Sequence, residues 1–186
     1  MNKSELLLFV KPYYENKDIM HNLNHIELVV KTIDRIIQAG NYSIDYEDLL
    51  YGAYFHGVIK NGEREIRGWL EYNKIPSDRI EKIIRIAYES FRPEIPTTLE
   101  SKILHDAHQV EGGKVYLITK CLVTGTLRGQ TLLETINYVE KYILHNGHCY
   151  LPETKPIWEA ANKFAETYIK ELKEEIFSQN IDRNVL

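Results

Sequence analysis

Residues 49–57 read Leu-Leu-Tyr-Gly-Ala-Tyr-Phe-His-Gly, an apolar helical run that ends on one polar side chain, His56. A histidine at the inner end of a buried helix needs a partner, because an unpaired buried polar group costs about 1–3 kcal/mol. Two other stretches offer partners. One is His21-x-x-x-His25, at the head of an amphipathic run; the other is His105-Asp106-Ala107-His108, inside a later one. We read His25, His56 and Asp106 as converging on one site, with the rest of the chain as its scaffold.

Working outward, the apolar positions recur at helical spacing throughout. Leu23, Ile26, Val29, Val30, Ile33, Ile36 and Ile37 follow steps of three and four and stop at Gly40. His21 and His25 are four apart and share a face at the head of this helix, with Asn22 or Asn24 as its cap. Before it, Ser4 opens a first helix to about Tyr14, with Pro12 disturbing its end. The organising helix runs from about Tyr46 to His56, and Asn61-Gly62 marks a turn after it. Helices are expected from about Glu63 to Tyr72 and from Pro76-Ser77 onward. Thr97-Thr98-Leu99-Glu100 and Thr131-Leu132-Leu133-Glu134 read as capping boxes for two more. Val115 to Val123 fits helix or strand by pattern and is read as helix because its neighbours are helical. Pro152 or Pro156 opens a long final helix. No strand alternation appears, so the class is all-α, and 186 residues make a single domain spanning 1–186.

Composition narrows the function classes. A net charge of -4 argues against a nucleic-acid polymer as partner, since phosphate backbones demand clustered Lys and Arg. Cys121 and Cys149 lack metal-type spacing, and a chain of this length needs no disulfide staple, so a reduced, cytoplasmic setting is the simpler expectation. No run approaches the roughly 18 apolar residues of a membrane span. The short apolar stretch after Met1, broken at Lys11-Pro12, does not read as a secretory signal.

Two imidazoles and a carboxylate that leave positions open suit Fe, Mn, Co or Zn with a bound water. Such an ion lowers the pKa of its water and offsets charge on a phosphoryl oxygen. The order and context of these residues resemble the HD-domain phosphohydrolases, small bacterial branch. The resemblance rests on His21-x-x-x-His25-Ile26, on Phe55-His56 at a buried helix end, and on Leu99 through Ala107. Asn61-Gly62-Glu63-Arg64-Glu65 is similar to a Gly-acidic stretch of that family, and Glu89-Ser90-Phe91-Arg92 to its Ser-Phe-Lys segment. About residues 15 to 175 are covered. The resemblance implies an HD-like helical bundle and a divalent metal (Mn, Fe, Co, Ni, Zn or Mg). It implies hydrolysis of a small phosphorylated compound, nucleotides included. The family's metal site is a first His, a His-Asp dyad and a later Asp, which carry over to His25, to His56 with position 57, and to Asp106.

The same comparison exposes departures. Gly57 stands where the dyad has Asp, Asn22 where a His-Asp-x-x-His start has Asp, and Leu28 where a basic residue is usual. The family's Asp-Ala-Asp-Arg-Leu-Asp run reads Asp106-Ala107-His108-Gln109-Val110-Glu111. The alternative function is therefore a degenerate HD-like protein that binds a ligand or protein partner without hydrolysis. A third reading, a redox role for bound iron, predicts coloured or O2-sensitive protein. Within the hydrolase reading His21 and Glu63 are the catalytic candidates, and Lys60 and Arg64 the substrate-binding ones. Arg92 is expected at the surface. His105 and His108 are expected in surface or supporting roles, since one helix cannot aim both along the line of Asp106. Gly57→Asp is expected to tighten metal binding.

Overall fold

The helical periods fold into nine helices among residues 3–177, the part of the chain that the computed structural model describes. They are α1 (Lys3–Glu15), α2 (Leu23–Gly40), α3 (Tyr46–Phe55), α4 (Ile59–Tyr72), α5 (Ser77–Tyr88), α6 (Leu99–Val110), α7 (Gly113–Leu127), α8 (Leu132–Tyr142) and α9 (Lys155–Phe177). No strand occurs among the described residues, so the all-α class holds. None of their helices is long and apolar enough to cross a membrane.

The run at 49–57 behaves as its composition demands. Every residue of α3 from Asp48 to Phe55 is buried, and the helix packs against α5, α6, α2 and α1. Gly52 permits the closest of these approaches: a Cβ there would stand 2.4 Å from Ile86 Cγ2 of α5. Asp45 caps α3 by accepting from the Asp48 N–H, and the His56 N–H closes the helix on the Gly52 carbonyl at 2.9 Å. That last bond fixes where the His56 ring starts.

Two apolar clusters divide the molecule. The larger gathers α1 to α6 around Leu6, Ile26, Ile33, Leu49, Phe55, Ile83 and Leu104. The smaller joins α7, α8 and α9 through Ile118, Ile136, Val139, Ala165 and Ile169. Burying a side chain of this size contributes about 1.5–3 kcal/mol, so each cluster is a sufficient reason for its helices to associate. The seam between the clusters is where the site lies.

Several element ends differ from expectation. Pro12 sits inside α1, which continues to Glu15. Asn61-Gly62 is no separate turn: α4 begins at Ile59 and absorbs Gly62 as a kink (φ -128°, ψ 16°). The cap of α6 is Thr98, which accepts from the Ser101 N–H, rather than Thr97. Glu100 is thereby free to bind Lys82 Nζ at 2.8 Å. The box at Thr131 and Glu134 forms with both of its reciprocal bonds, and Val115 to Val123 is helix.

Candidate metal centre

Three helices deliver one imidazole each to the seam. His25 comes from the first turn of α2, whose Asn22 cap accepts from the Asn24 N–H. His56 ends α3, and His108 lies in the last turn of α6. One ring nitrogen from each lies within 4.8 Å of the other two. The Nε2 atoms of His25 and His56 are 3.3 Å apart.

The other nitrogen of each ring is occupied by an acceptor. His56 Nδ1 lies 2.6 Å from the Ala53 carbonyl, and His108 Nδ1 lies 3.3 Å from the Ser90 carbonyl. His25 Nδ1 lies 2.6 Å from Glu111 Oε2. Carbonyl and carboxylate oxygens only accept, so each Nδ1 carries the proton. Lys120 Nζ is 3.4 Å from His25 Nδ1, but the shorter carboxylate contact decides the tautomer. Lys120 instead donates to Glu111 Oε1 and balances its charge.

The rings are held neutral. Burial pushes His25 down from 6.5 to about 3, helped by Lys120, His21 and Lys17. Burial also pushes His56 down to about 3, with His25 adding to it. His108 is lowered well below 6.5, again by burial first and His56 second. A neutral ring protonated at Nδ1 has a bare lone pair on Nε2. For His25 and His56 these lone pairs face each other with their tautomers fixed from outside, which is how metal-binding histidines are oriented. Two nitrogens about 2.05 Å from a tetrahedral ion stand roughly 3.3 Å apart, the separation found between His25 and His56. The donor set fits a metal ion.

The structure brings His25 and His56 together as expected but does not place Asp106 in this set. Its carboxylate accepts from the Tyr150 N–H at 2.9 Å, the Leu151 N–H at 2.8 Å and the Thr154 hydroxyl at 2.6 Å. It pins the segment leading into α9 to the middle of α6. His108 stands at the centre in its place, where a surface or supporting role was expected. His105 is buried beside Asp106, with Nδ1 3.3 Å from its Oδ1. A side chain at Gly57 would have to displace its neighbours: a Cβ there would meet the Tyr14 hydroxyl at 2.6 Å and Lys17 Nζ at 3.2 Å. Lys17 donates to the Gly57 carbonyl.

A cavity of about 600 Å3 opens beside the centre, along the seam, and His108 and Glu111 form part of its wall. Its charged lining comprises Lys60, Arg92, Lys120 and Arg128, with Glu111 as the sole carboxylate. Lys60 Nζ rests 3.9 Å over the Phe91 ring. Arg92 is sunk in the wall rather than at the surface; it donates to Gln109 Oε1 at 3.0 Å and to the Ile143 carbonyl at 3.3 Å. Burial lowers its pKa, and among the described residues it has no carboxylate partner within 4.0 Å. His21 also lines the cavity, with Nδ1 2.8 Å from both Asp18 oxygens. Glu63 and Arg64 lie outside. Glu63 is tied to Arg67 at 2.7 Å and Tyr88 at 2.8 Å, and Arg64 is exposed on α4.

The arrangement matches solved structures in fold. An HD-superfamily hydrolase from Bacillus thuringiensis superposes with a TM-score of 0.70 over 95% of this chain and 97% of its own, at 16% identity. The Lin1889 protein from Listeria innocua gives 0.68 over 95% and 98%, at 24% identity. YpgQ from Bacillus subtilis, solved in complex with ADP, gives 0.72 over 93% and 97%, at 16% identity. No protein-family model and no curated protein matches the chain by sequence. The molecule therefore has an HD-like helical fold.

Proposed function

We propose that this chain is a metal-dependent phosphohydrolase acting on small phosphorylated compounds, with nucleotides as the class to try first. The observation that carries this reading is the contact between a three-imidazole centre and a cavity lined by four cations and one carboxylate. His25, His56 and His108 hold the ion. When bound, it supplies Lewis acidity and a water of lowered pKa.

The chain's own residues divide the remaining work. Arg92, Lys60 and Arg128 bind phosphate oxygens; Arg92 is the strongest candidate, because its half-buried guanidinium has no carboxylate partner among the described residues. Glu111 orients His25. His21, steadied by Asp18, donates a proton to the leaving oxygen. Glu63 and Arg64 have no part in this scheme, since neither reaches the cavity. The ADP complex of a structural neighbour supports a nucleotide-sized ligand.

A second reading, ligand binding without hydrolysis, has one specific observation in its favour. Gly57 offers no carboxylate, and the Tyr14 hydroxyl and Lys17 Nζ crowd the point from which one would project. One experiment separates the two. Untagged protein purified without chelator is assayed for bound metal, beside a His56→Ala control, and then against nucleotides and phosphoesters. Metal and turnover, both lost in the control, support the hydrolase. Metal and ADP binding without turnover support the binder, and no metal with any ion tried overturns the hydrolase.

A further inference from the structure

We infer that this centre selects a nitrogen-preferring divalent ion, zinc or cobalt(II), against magnesium and manganese. The inference rests on the metal-binding part of the preceding proposal and goes beyond it in assigning the ion.

The donors decide the matter. All three groups brought together here are imidazoles, and among the described residues no carboxylate joins the set. Gly57 has no side chain to offer, and Lys17 Nζ stands 3.2 Å from where its Cβ would be. Asp106 spends its lone pairs on Tyr150, Leu151 and Thr154. Glu111 touches the far nitrogen of His25 and a lysine. Magnesium is held by oxygen ligands in octahedral geometry, and manganese prefers carboxylate, carbonyl and water. Neither finds such ligands here. Without anionic donors, affinity must come from nitrogen donation, which rises steeply from manganese toward copper and zinc. The 3.3 Å between His25 and His56 nitrogens also suits short metal–nitrogen bonds at tetrahedral angles.

The test titrates metal-free, full-length protein with zinc, cobalt, manganese and magnesium in turn. Affinity is read by competition with a chromophoric chelator, and cobalt by its visible absorption. The expected result is one zinc or cobalt per chain, with the intense bands of four-coordinate cobalt. Manganese and magnesium should bind more than roughly 100-fold more weakly, beyond the 10–100-fold range of outer-partner effects. His108→Gln should abolish the cobalt bands while keeping the helical circular dichroism. His108→Asp should raise manganese affinity relative to zinc by about tenfold or more. Manganese or magnesium binding as tightly as zinc, or cobalt bands surviving His108→Gln in a folded protein, overturns the inference. Turnover with magnesium alone would defeat it while leaving the hydrolase reading intact. Tight zinc without turnover would defeat the hydrolase reading and leave the inference standing.

Discussion

The Nε2 atoms of His25 and His56 face each other at 3.3 Å with no hydrogen between them. Glu111 and the Ala53 carbonyl hold both ring protons on the opposite nitrogens. Two bare lone pairs at that distance repel, so the fold keeps together at a cost two donors that a bound cation would stabilise.

The first consequence is acid sensitivity of the metal-free protein. In the folded state His25 and His56 titrate near 3 and His108 well below 6.5, because burial penalises the charged rings. Around His25, Lys120, His21 and Lys17 oppose protonation and Asp18 favours it; Glu111 faces both His56 and His108 and favours theirs. Below 6.5 the unfolded chain takes up protons that the folded chain refuses, so stability falls as pH falls. The loss approaches about 1.4 kcal/mol per pH unit for each histidine. Thermal melts of chelator-treated protein should therefore drop steeply from pH 6.5 toward 4. A flat melting temperature across that range would mean that the folded rings charge freely, for instance as an imidazolium on Glu111.

Glu111→Gln tests the role of the carboxylate. The amide can still accept a bond from His25 Nδ1 but carries no charge, and it abandons Lys120, whose ammonium would then face the ring alone. Zinc affinity should fall by about 10–100-fold, the range for outer partners of metal-bound histidine, with little change in the far-ultraviolet circular dichroism. An unchanged affinity would leave Glu111 a structural residue only.

Asp106→Asn should do the reverse. The carboxylate accepts two backbone N–H groups and a hydroxyl while fully buried. Bonds to a charged group contribute about 1.5–3 kcal/mol, and an amide oxygen replaces only part of that set. A loss of roughly 2–4 kcal/mol in denaturant unfolding is expected, with one zinc per chain still bound. Loss of the metal from folded Asp106→Asn protein would return this residue to the ligand set.

Gly57→Asp, which family resemblance alone recommends as a repair, should not repair anything. Its Cβ would collide with the Tyr14 hydroxyl, which donates to the Tyr54 carbonyl at 2.9 Å in the core. Overpacking of this kind costs about 1–3 kcal/mol, and the new carboxylate would meet Lys17 first. Zinc affinity should stay level or fall. A clear gain would show that Tyr14 and Lys17 yield more readily than their packing implies.

These cases also separate what the sequence discloses from what it conceals. Helix α3 is legible because its run from Leu49 to Phe55 is apolar on every side, and the polar residue that ends it stands out. His25 was legible from its place at the head of a strongly amphipathic run. The third member was not. Asp106 and His108 are two residues apart, roughly 200° around a helix, so only one can face His25 and His56, and a preference for carboxylate points to Asp106 where the structure places His108. The residue that bears on the choice is Glu111, which caps the end of α6 just past His108 and contacts the His25 ring. Arg92 was hidden for another reason: its surroundings come from α6, α7 and α8, and nothing near it in sequence reveals the cavity wall.

Arg92 supplies the last prediction. Its guanidinium is sunk in the wall and donates only to Gln109 and the Ile143 carbonyl among its described hydrogen bonds. A half-buried cation with no carboxylate partner among the described residues is available to an incoming phosphate. Arg92→Met keeps the length of the side chain and removes the charge. The variant should be as stable as the parent or slightly more so, while affinity for ADP or inorganic phosphate falls by roughly tenfold or more, the loss of one charge-assisted contact. The opposing movement of the two quantities is what distinguishes a ligand-binding arginine from a structural one. If Arg92→Met melts several degrees lower and binds phosphate unchanged, the guanidinium serves the packing of α6 against the α8 end, and the anion site must be sought at Lys60 and Arg128.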